Sequence, residues 1–434
     1  MKRIILNVSL LAAGLLAFTS CSNDILTDGE VMVPVEEDGG TRNSGENLEA
    51  KTYSQESLLI SYNGEALYGK QAKFSVVAPG KASIELSGEA LDLSMLTGEG
   101  DSMLPPVNTC GVFPGTPVFN LDVELSGTEE ECTFKGASET EFCTFSYEGS
   151  VNAETMSIVL YDVRLKDTSM SGAAEALEGK WGFREYDDNF YNVLRVVWES
   201  ETQVELFEGF AMPISSIVGM ALAMPIVGDA GVAGLLPTLL QDVRFLEDGN
   251  VVATYLDAES GRMVTSPKNI AQYVVKGDKI MLYINPQAVI ANEMQNTRSE
   301  EDMANAIMET ANKLLAVVLP MATEGIPLTY GKAFMLDSNF ETVYFDYPET
   351  ISVYLDTEVL KPMLEAMVPV LSNEEFKQII IALATSNPDF EMMGSMMGGI
   401  LDTLPEVIET TSVIEVGINL KRLESSSVPM ITAD

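Results

Sequence analysis

Two stretches of the sequence decide the predicted fold: VRFLEDGNVVATYL at residues 243–256 and YVVKGDKIMLYI at residues 273–284. In each of them, two apolar runs of strand length flank a short polar turn that contains glycine. This pattern predicts a β-hairpin, because glycine readily adopts the backbone conformation that a tight turn requires. Two hairpins so close in sequence indicate an antiparallel sheet.

The sequence around these hairpins extends the sheet and adds helices. Strand-like runs lie on both sides of the hairpins, and about ten strands are predicted in all. Apolar residues at helical spacing predict connecting helices that are rich in methionine. The region 176–434 is therefore predicted to be a β-barrel-like domain with long helical insertions. The additional strands are expected at 181–186, 193–199, 204–207, 328–336, 342–345 and 413–423, and the helices after Ser299 and over 359–370, 373–383 and 392–404.

The preceding region, residues 51–167, has alternating apolar and polar residues with no helical periodicity. Asn63-Gly64 and Pro79-Gly80 supply turns between its strands. We expect an all-β antiparallel domain here, a meander or an open barrel. Residues 167–176 are small and polar, which predicts the boundary between the two domains. The predicted strands are 58–62, 72–77, 82–86, 118–125, 142–147 and 156–165.

The first residues of the chain are typical of an export signal. Lys2 and Arg3 precede an apolar stretch over 4–18, which predicts a signal peptide over residues 1–20. The run Phe18-Thr19-Ser20-Cys21 resembles a bacterial lipobox, which implies cleavage before Cys21 and lipidation of its sulfur. Residues 21–50 are acidic and rich in Gly, Asn and Ser, so we expect a flexible tether after the lipid anchor.

The acidic residues that follow Cys21 bear on location. Asp24, Asp28 and Glu30 resemble the surface-export signal of lipoproteins in the Bacteroidota. The resemblance implies an outer-membrane protein that faces the cell exterior, and the periplasmic face is the alternative that stays open.

Composition excludes several classes of function. The chain has 25 Lys and Arg against 65 Asp and Glu among 434 residues, a formal net charge of −40. A surface of this charge repels phosphate, so nucleic-acid binding is not expected. The chain contains no histidine, which removes Ser-His and Cys-His nucleophiles and His-liganded metal sites. We therefore predict a non-enzymatic protein without a cofactor or metal, with a carboxylate-pair glycosidase as the remote enzymatic alternative.

The most unusual segment is 209–241, where residues 209–228 carry no charge. Its length would allow a membrane span, but prolines and glycines divide it and Asp229 interrupts it. Three interpretations stay open: two short buried helices, a mobile lid over a ligand cavity, or insertion into lipid. The candidate apolar ligand-binding residues are Met212, Ile217, Met220, Met224, Leu235 and Leu239.

Three cysteines remain after Cys21, namely Cys110, Cys132 and Cys143. Cys132 and Cys143 lie on short strand-like runs and would face each other if those runs formed a hairpin. One disulfide with one free thiol and three buried thiols are both compatible with the sequence. The acidic loop 185–189 is interpreted as solvated surface rather than as a calcium site, because it lacks the spacing of a dedicated loop.

Two further resemblances concern the fold. Leu177-Glu178-Gly179-Lys180-Trp181 resembles the G-x-W that opens the first strand of lipocalin-type barrels. In that family the Trp plugs the base of the barrel and a basic residue of the last strand covers it, a role that the resemblance assigns to Trp181 and Arg422. The runs 266–273 and 285–288 resemble an uncharacterised family of Bacteroidota lipoproteins, a domain of unknown function with calycin-like β architecture. This likeness implies location and fold and assigns no chemistry.

From these observations, the leading functional hypothesis is a cell-surface lipoprotein that binds an apolar small molecule in a barrel cavity, with the segment 209–241 contributing to the site. The alternative is a structural or adhesive module that recognises a glycan or protein by its surface. The oligomeric state is not predicted.

Overall fold

The computed structural model describes most of the chain after the predicted tether, with several gaps. The predicted signal peptide, Cys21, Met224, the loop 185–189 and the helix expected after Ser299 lie outside the described residues. The described residues are 44–91, 107–170, 176–183, 193–207, 209–223, 231–257, 260–285, 321, 323–336, 342–344, 349–374, 376–378, 381 and 391–423.

The first unit consists of β-strands and a short 3-10 helix (Gln55–Ser57). All six predicted strands are confirmed. The strand at 51–54 was not predicted, and the strand at 131–139 was recognised only as a short run around Cys132. The strands are β1 (Lys51–Ser54), β2 (Leu58–Tyr62), β3 (Glu65–Ala66), β4 (Lys70–Ala78), β5 (Lys81–Gly88), β6 (Ala90–Leu91), β7 (Val107–Asn108), β8 (Val118–Glu124), β9 (Ser126–Gly127), β10 (Glu131–Glu139), β11 (Cys143–Asn152) and β12 (Met156–Leu165).

These strands form two sheets around one core rather than a meander or an open barrel. One sheet has the order β1-β4-β5-β8 and the other β3-β2-β12-β11-β10-β9. Phe74 and Ile84 of the first sheet share a buried apolar cluster with Tyr62 and Ile158 of the second. β2 pairs with β12 in parallel, so the antiparallel prediction fails at this pair. The expected meander is wrong because β12 returns beside β2 only after the chain has passed through the other sheet.

The second unit contains the predicted hairpins, and both are confirmed by the register of their strands. Its strands are β13 (Gly179–Phe183), β14 (Leu194–Ser200), β15 (Val204–Phe207), β16 (Phe210–Met212), β17 (Leu240–Phe245), β18 (Asn250–Leu256), β19 (Met263–Thr265), β20 (Ala271–Lys276), β21 (Lys279–Ile284), β22 (Ile326–Gly331), β23 (Phe334–Leu336), β24 (Thr342–Tyr344), β25 (Thr350–Leu355) and β26 (Thr411–Arg422).

Eight of these strands close into an antiparallel β-barrel. The order is β13-β17-β18-β20-β21-β22-β25-β26, and β26 pairs back to β13. Alternate residues point inward, as the period of two requires, and they form one buried apolar cluster. The predicted β-barrel fold is therefore confirmed. Members of the cluster include Trp181, Val243, Phe245, Val251, Ala253, Tyr255, Ala271, Tyr273, Ile280, Leu282, Ile351, Val353, Leu355, Ile418 and Leu420.

The described helices of this unit are α1 (Ile214–Ala223), α2 (Val232–Leu239), α3 (Thr357–Leu371) and α4 (Glu391–Glu409). The helices predicted near 359–370 and 392–404 are confirmed, and the segment 209–241 contains two short helices, as the first of its three interpretations expected. None of the described helices is both long and apolar enough to cross a bilayer. Asn373 accepts a hydrogen bond at 3.1 Å from the backbone N–H of Phe376, as expected for the N-cap of the helix predicted there.

The helices lie at one end of the barrel, and the first unit contacts both the turn between β17 and β18 at the other end and the residue that follows β21. α2 leads directly into β17, α3 follows β25 and α4 precedes β26, so all three meet the same end. We call this the upper end and the opposite one, where β13 pairs with Arg422, the lower end. Since the strands are antiparallel, the turn between β17 and β18 lies at the lower end.

The two units are joined by hydrogen bonds at two places, the turn between β17 and β18 and the residue that follows β21. The hydroxyl of Tyr62 donates to the backbone carbonyl of Asp248 at 2.7 Å. The side-chain amide of Asn285 donates to the carbonyl of Tyr68 at 2.9 Å. Burial raises the pKa of Tyr62 well above its ordinary value, and the neighbouring Cys143 and Asp248 add to the shift. The Tyr62 hydroxyl therefore keeps its proton, and with it this link, across the neutral pH range.

The structure decides between the two alternatives for the three cysteines, one disulfide or three buried thiols. Cys110, Cys132 and Cys143 are buried free thiols. In the β10–β11 register Cys132 is opposite Val151, so it does not face Cys143 and the suggested hairpin pairing is wrong. The reason is that both strands extend well beyond the short runs recognised in the sequence, which moves the turn and the register.

Candidate functional site: the upper mouth of the barrel

The upper end of the barrel is the part where neighbouring strands separate. β14 pairs with β26 over Leu194–Ser200 and has no second strand partner among the described residues. On the opposite side, β18 pairs with β20 only at Asn250 and Val251, near the lower end, and its upper half pairs with the short β19. The ladder is thus continuous at the lower end and opens at two seams above. We call the apolar surface at these seams the upper mouth.

Apolar side chains line the upper mouth. Leu240 and Val264 are both cross-strand partners of Tyr255, so they share its inward face. Leu360 and Met363 of α3 reach this surface from above. All except Tyr255 are only half-buried, yet they pack against the barrel core. Covering partly exposed apolar side chains lowers the free energy, so such a surface can bind an apolar molecule.

The lower end is closed by Trp181. Its side chain is 1% exposed, and the indole N–H donates to the carbonyl of Leu177 at 2.7 Å. The guanidinium carbon of Arg422 lies 4.4 Å from the centroid of the Trp181 ring. The same guanidinium donates to the carbonyls of Ala176 and Glu178, which fixes its position over the ring. The structure thus brings together the two residues that the lipocalin resemblance singled out.

Above Trp181 the lower half of the barrel is filled by aromatic side chains. The rings of Phe245 and Tyr273 meet edge to face with centroids 5.0 Å apart. The Tyr273 hydroxyl donates to the carbonyl of Leu246 at 3.2 Å. Burial, followed by the charges of Glu178 and Asp248, raises its pKa far above the ordinary value, so the phenol stays neutral. A ligand site in this barrel is therefore confined to the upper end.

The predicted apolar ligand residues are divided between two environments. Met212 and Ile217 pack in a second cluster with Trp198, Val204 and Val407, so they form the core of the helical layer. Met220 and Leu239 are each 41% exposed, and Leu235 is half-buried. The structure therefore does not gather these five described residues into one pocket, and none of them belongs to the apolar cluster of the barrel core.

The lining of the upper mouth itself was missed by sequence reasoning. Val264 lies in a short strand that was not predicted, and Met363 lies in a predicted helix that was read as an ordinary core element. The available signal was the position of Val264 opposite Tyr255 near the upper end of β18, which becomes visible only once the pairing of β18 with β19 is known.

Tyr354 and Arg195 form a polar cluster on the outer wall near the upper end. The guanidinium carbon of Arg195 lies 3.7 Å from the centroid of the Tyr354 ring. Arg195 Nε and Nη2 donate to one carboxylate oxygen of Glu415 at 2.8 and 2.6 Å. Because Glu415 belongs to β26, this pair fastens β14 to its only strand partner among the described residues.

Two open concave sites lie outside the barrel. The first, of about 520 Å³, is on the first unit, and Phe119, Glu139, Glu141 and Lys166 are among its lining residues. The second, of about 480 Å³, lies where the units meet and is lined in part by the residues Asn63, Lys180, Arg244, Asp248 and Lys268. In the described part of the chain, no three Cys, Asp or Glu side chains are grouped so that they could hold a metal ion.

The fold and the site define a class: a protein with a closed eight-stranded antiparallel β-barrel, plugged at one end, open between strands at the other, and joined to a two-sheet unit. Comparison of the chain with protein-family models, curated proteins and solved structures finds no match. Membership of the Bacteroidota lipoprotein family therefore stays a prediction that rests on the resemblance.

Proposed function

We propose that this protein is a non-enzymatic lipoprotein that binds an apolar small molecule at the upper mouth of its barrel. The observation that carries the proposal is the half-buried apolar lining of Leu240, Val264 and Met363 at the end where the strands separate. The plugged lower end supports it, because a barrel closed at one end by Trp181 leaves a single side for entry.

A fluorescent neutral dye such as Nile red tests the proposal. Val264→Thr and Met363→Gln keep the size of the side chains but place a polar group on the binding surface. Each is expected to weaken dye binding about tenfold, which corresponds to ~1.4 kcal/mol. The titration measures Kd for each purified variant, and the melting temperature shows whether the fold is kept.

The matched control is Val77→Thr, the same change at a side chain that is 63% exposed on the first unit. It should leave Kd unchanged. Equal weakening by Val77→Thr, or a native Kd in both mouth variants, would show that the dye binds elsewhere and would overturn the proposal.

A specific observation favours one second candidate, a glycan-binding surface module. The concave site on the first unit combines the half-buried ring of Phe119 with Glu139, Glu141 and Lys166, and aromatic rings beside polar groups suit sugar faces. Binding of a glycan without binding of the dye would support this candidate over the first.

The proposal includes anchoring to the outer membrane, facing the cell exterior, through acylated Cys21. We expect Cys21 to carry diacylglycerol on its sulfur when the chain is produced in a bacterium that processes lipoproteins, because Phe18-Thr19-Ser20-Cys21 resembles a lipobox. The intact mass of the purified protein measures this, and Cys21→Ser should lose the lipid and leave the membrane fraction. A mass that matches the unmodified chain with residues 1–20 still attached would contradict the predicted lipid anchor.

A further inference from the structure

Lys70, the first residue of β4, is a buried cation in an unusual setting. The residue is 2% exposed to solvent. Its ammonium donates to the carbonyl of Cys110 at 2.8 Å and lies 3.3 Å from the Cys110 sulfur. Lysine is almost never fully buried unless it is paired. In the described part of this very acidic chain, however, Lys70 has no carboxylate partner.

Cys110 is equally shielded. It is 4% exposed, a free thiol, and part of an apolar cluster with Val274 and Tyr283 of the barrel wall. Its sulfur lies 3.8 Å from the carbonyl oxygen of Ile284. The pair of Lys70 and Cys110 therefore lies where the first unit meets the barrel, with bulk water excluded on both sides.

The electrostatics of the site favour reaction of the amine. Burial lowers the pKa of Lys70, while contact with Cys110 acts in the opposite direction. A larger share of the amine is therefore neutral than in an exposed lysine, and a neutral amine has the lone pair that bond formation requires. Cys132 and Cys143 differ, because their sulfurs contact the carbonyl of Thr128 and the hydroxyl of Thr140.

We propose that Lys70 and Cys110 form an oxidative N–O–S cross-link between the lysine nitrogen and the cysteine sulfur. The oxidant is dioxygen, so the balance is amine plus thiol plus O₂ giving the N–O–S bridge plus one water. One N–H and one S–H bond break, and one N–O and one S–O bond form. Sulfur and nitrogen each lose two electrons, and the four electrons reduce O₂ to the bridging oxygen and water. Cysteine sulfur is known to capture nearby nitrogen after oxidation.

The cross-link has a structural consequence. It replaces a buried ammonium without a carboxylate by a weakly basic nitrogen, so the cost of keeping a charge away from water is removed. It also ties β4 to the segment after β7, at the surface on which Tyr283 and Val274 rest. Oxidation is therefore expected to raise the melting temperature.

Peptide mass spectrometry without reductant tests the proposal. The full chain is purified without oxygen, and one half is then exposed to air. We expect air to produce a species that joins the Lys70 and Cys110 peptides, heavier than their sum by one oxygen and lighter by two hydrogens. Reductant should release both peptides. The Cys132→Ser/Cys143→Ser variant should still form it, and Lys70→Arg and Lys70→Met should not.

Three results would overturn the inference. Cys110 remaining fully alkylatable in the unfolded, air-exposed protein would show that no bridge forms. A disulfide of Cys110 with Cys132 or Cys143 would assign a different oxidation. A joined peptide that lacks the added oxygen would mean a direct S–N bond. Lys70→Arg and Lys70→Met both remove the primary amine but introduce different side chains. If one variant fails to fold, the other still tests whether the cross-link needs the amine.

Discussion

Trp181→Ala is expected to lower the free energy of unfolding by about 3–5 kcal/mol, the range seen when a large buried aromatic side chain is removed. Trp181 is the largest fully buried side chain of the protein. The substitution opens a void at the lower end, removes the surface under the Arg422 guanidinium and leaves the Leu177 carbonyl without the indole N–H. The three losses act on the same closing strands, so little relaxation can compensate.

Urea unfolding followed by circular dichroism measures the change. Trp181→Phe is the matched control, because it keeps an aromatic ring below Arg422 and loses only part of the volume and the N–H donor. Its loss should be clearly smaller than that of the alanine variant. Equal midpoints for Trp181→Ala and the native protein would contradict the role of Trp181 as the plug.

Arg195→Ala is expected to cost about 3 kcal/mol, the lower end of the range for breaking a buried ion pair. The Arg195 side chain is 7% exposed and that of Glu415 is 20% exposed, so the carboxylate is left poorly solvated when its partner goes. The stack on Tyr354 is lost as well. Because β14 pairs only with β26 in the described structure, the damage should spread to α1, which packs on β14.

Arg195→Lys separates charge from geometry. Lysine keeps the positive charge but cannot donate twice to Glu415 or stack as a plane on Tyr354. An intermediate loss in thermal unfolding is therefore expected. If lysine restored full stability, charge alone would hold β14 and the stacking argument would be wrong.

The local elements were predictable because their signals are local. The turn Glu247-Asp248-Gly249-Asn250 and the alternation around it specify a hairpin without knowledge of the rest of the chain. The G-x-W run and Arg422 were likewise visible in the sequence, and their contact follows from the pairing of Trp181 with Arg422 in adjacent strands.

The arrangement of the elements was less predictable. The parallel pairing of β2 with β12 and the position of Cys132 opposite Val151 depend on contacts between distant segments, which periodicity does not encode. The same is true of the upper mouth. Val264 belongs to no predicted strand, and its place in the lining depends on the pairing of the short β19 with the upper half of β18.

The closure of the barrel by β26 has a consequence for how the chain reaches its native state. β26 pairs with β13, β14 and β25, and Trp181 and Arg422 are separated by more than half the length of the chain. Pairings between such distant segments form slowly, because the entropy of the intervening loop is lost before the contacts are gained. During synthesis or export, the edges of β13 and β14 that pair with β26 therefore stay unpaired until β26 has been made or exported. The complete chain should accordingly refold slowly from urea. The unpaired edges of β13 and β14 are the sites where a chaperone would have to prevent aggregation.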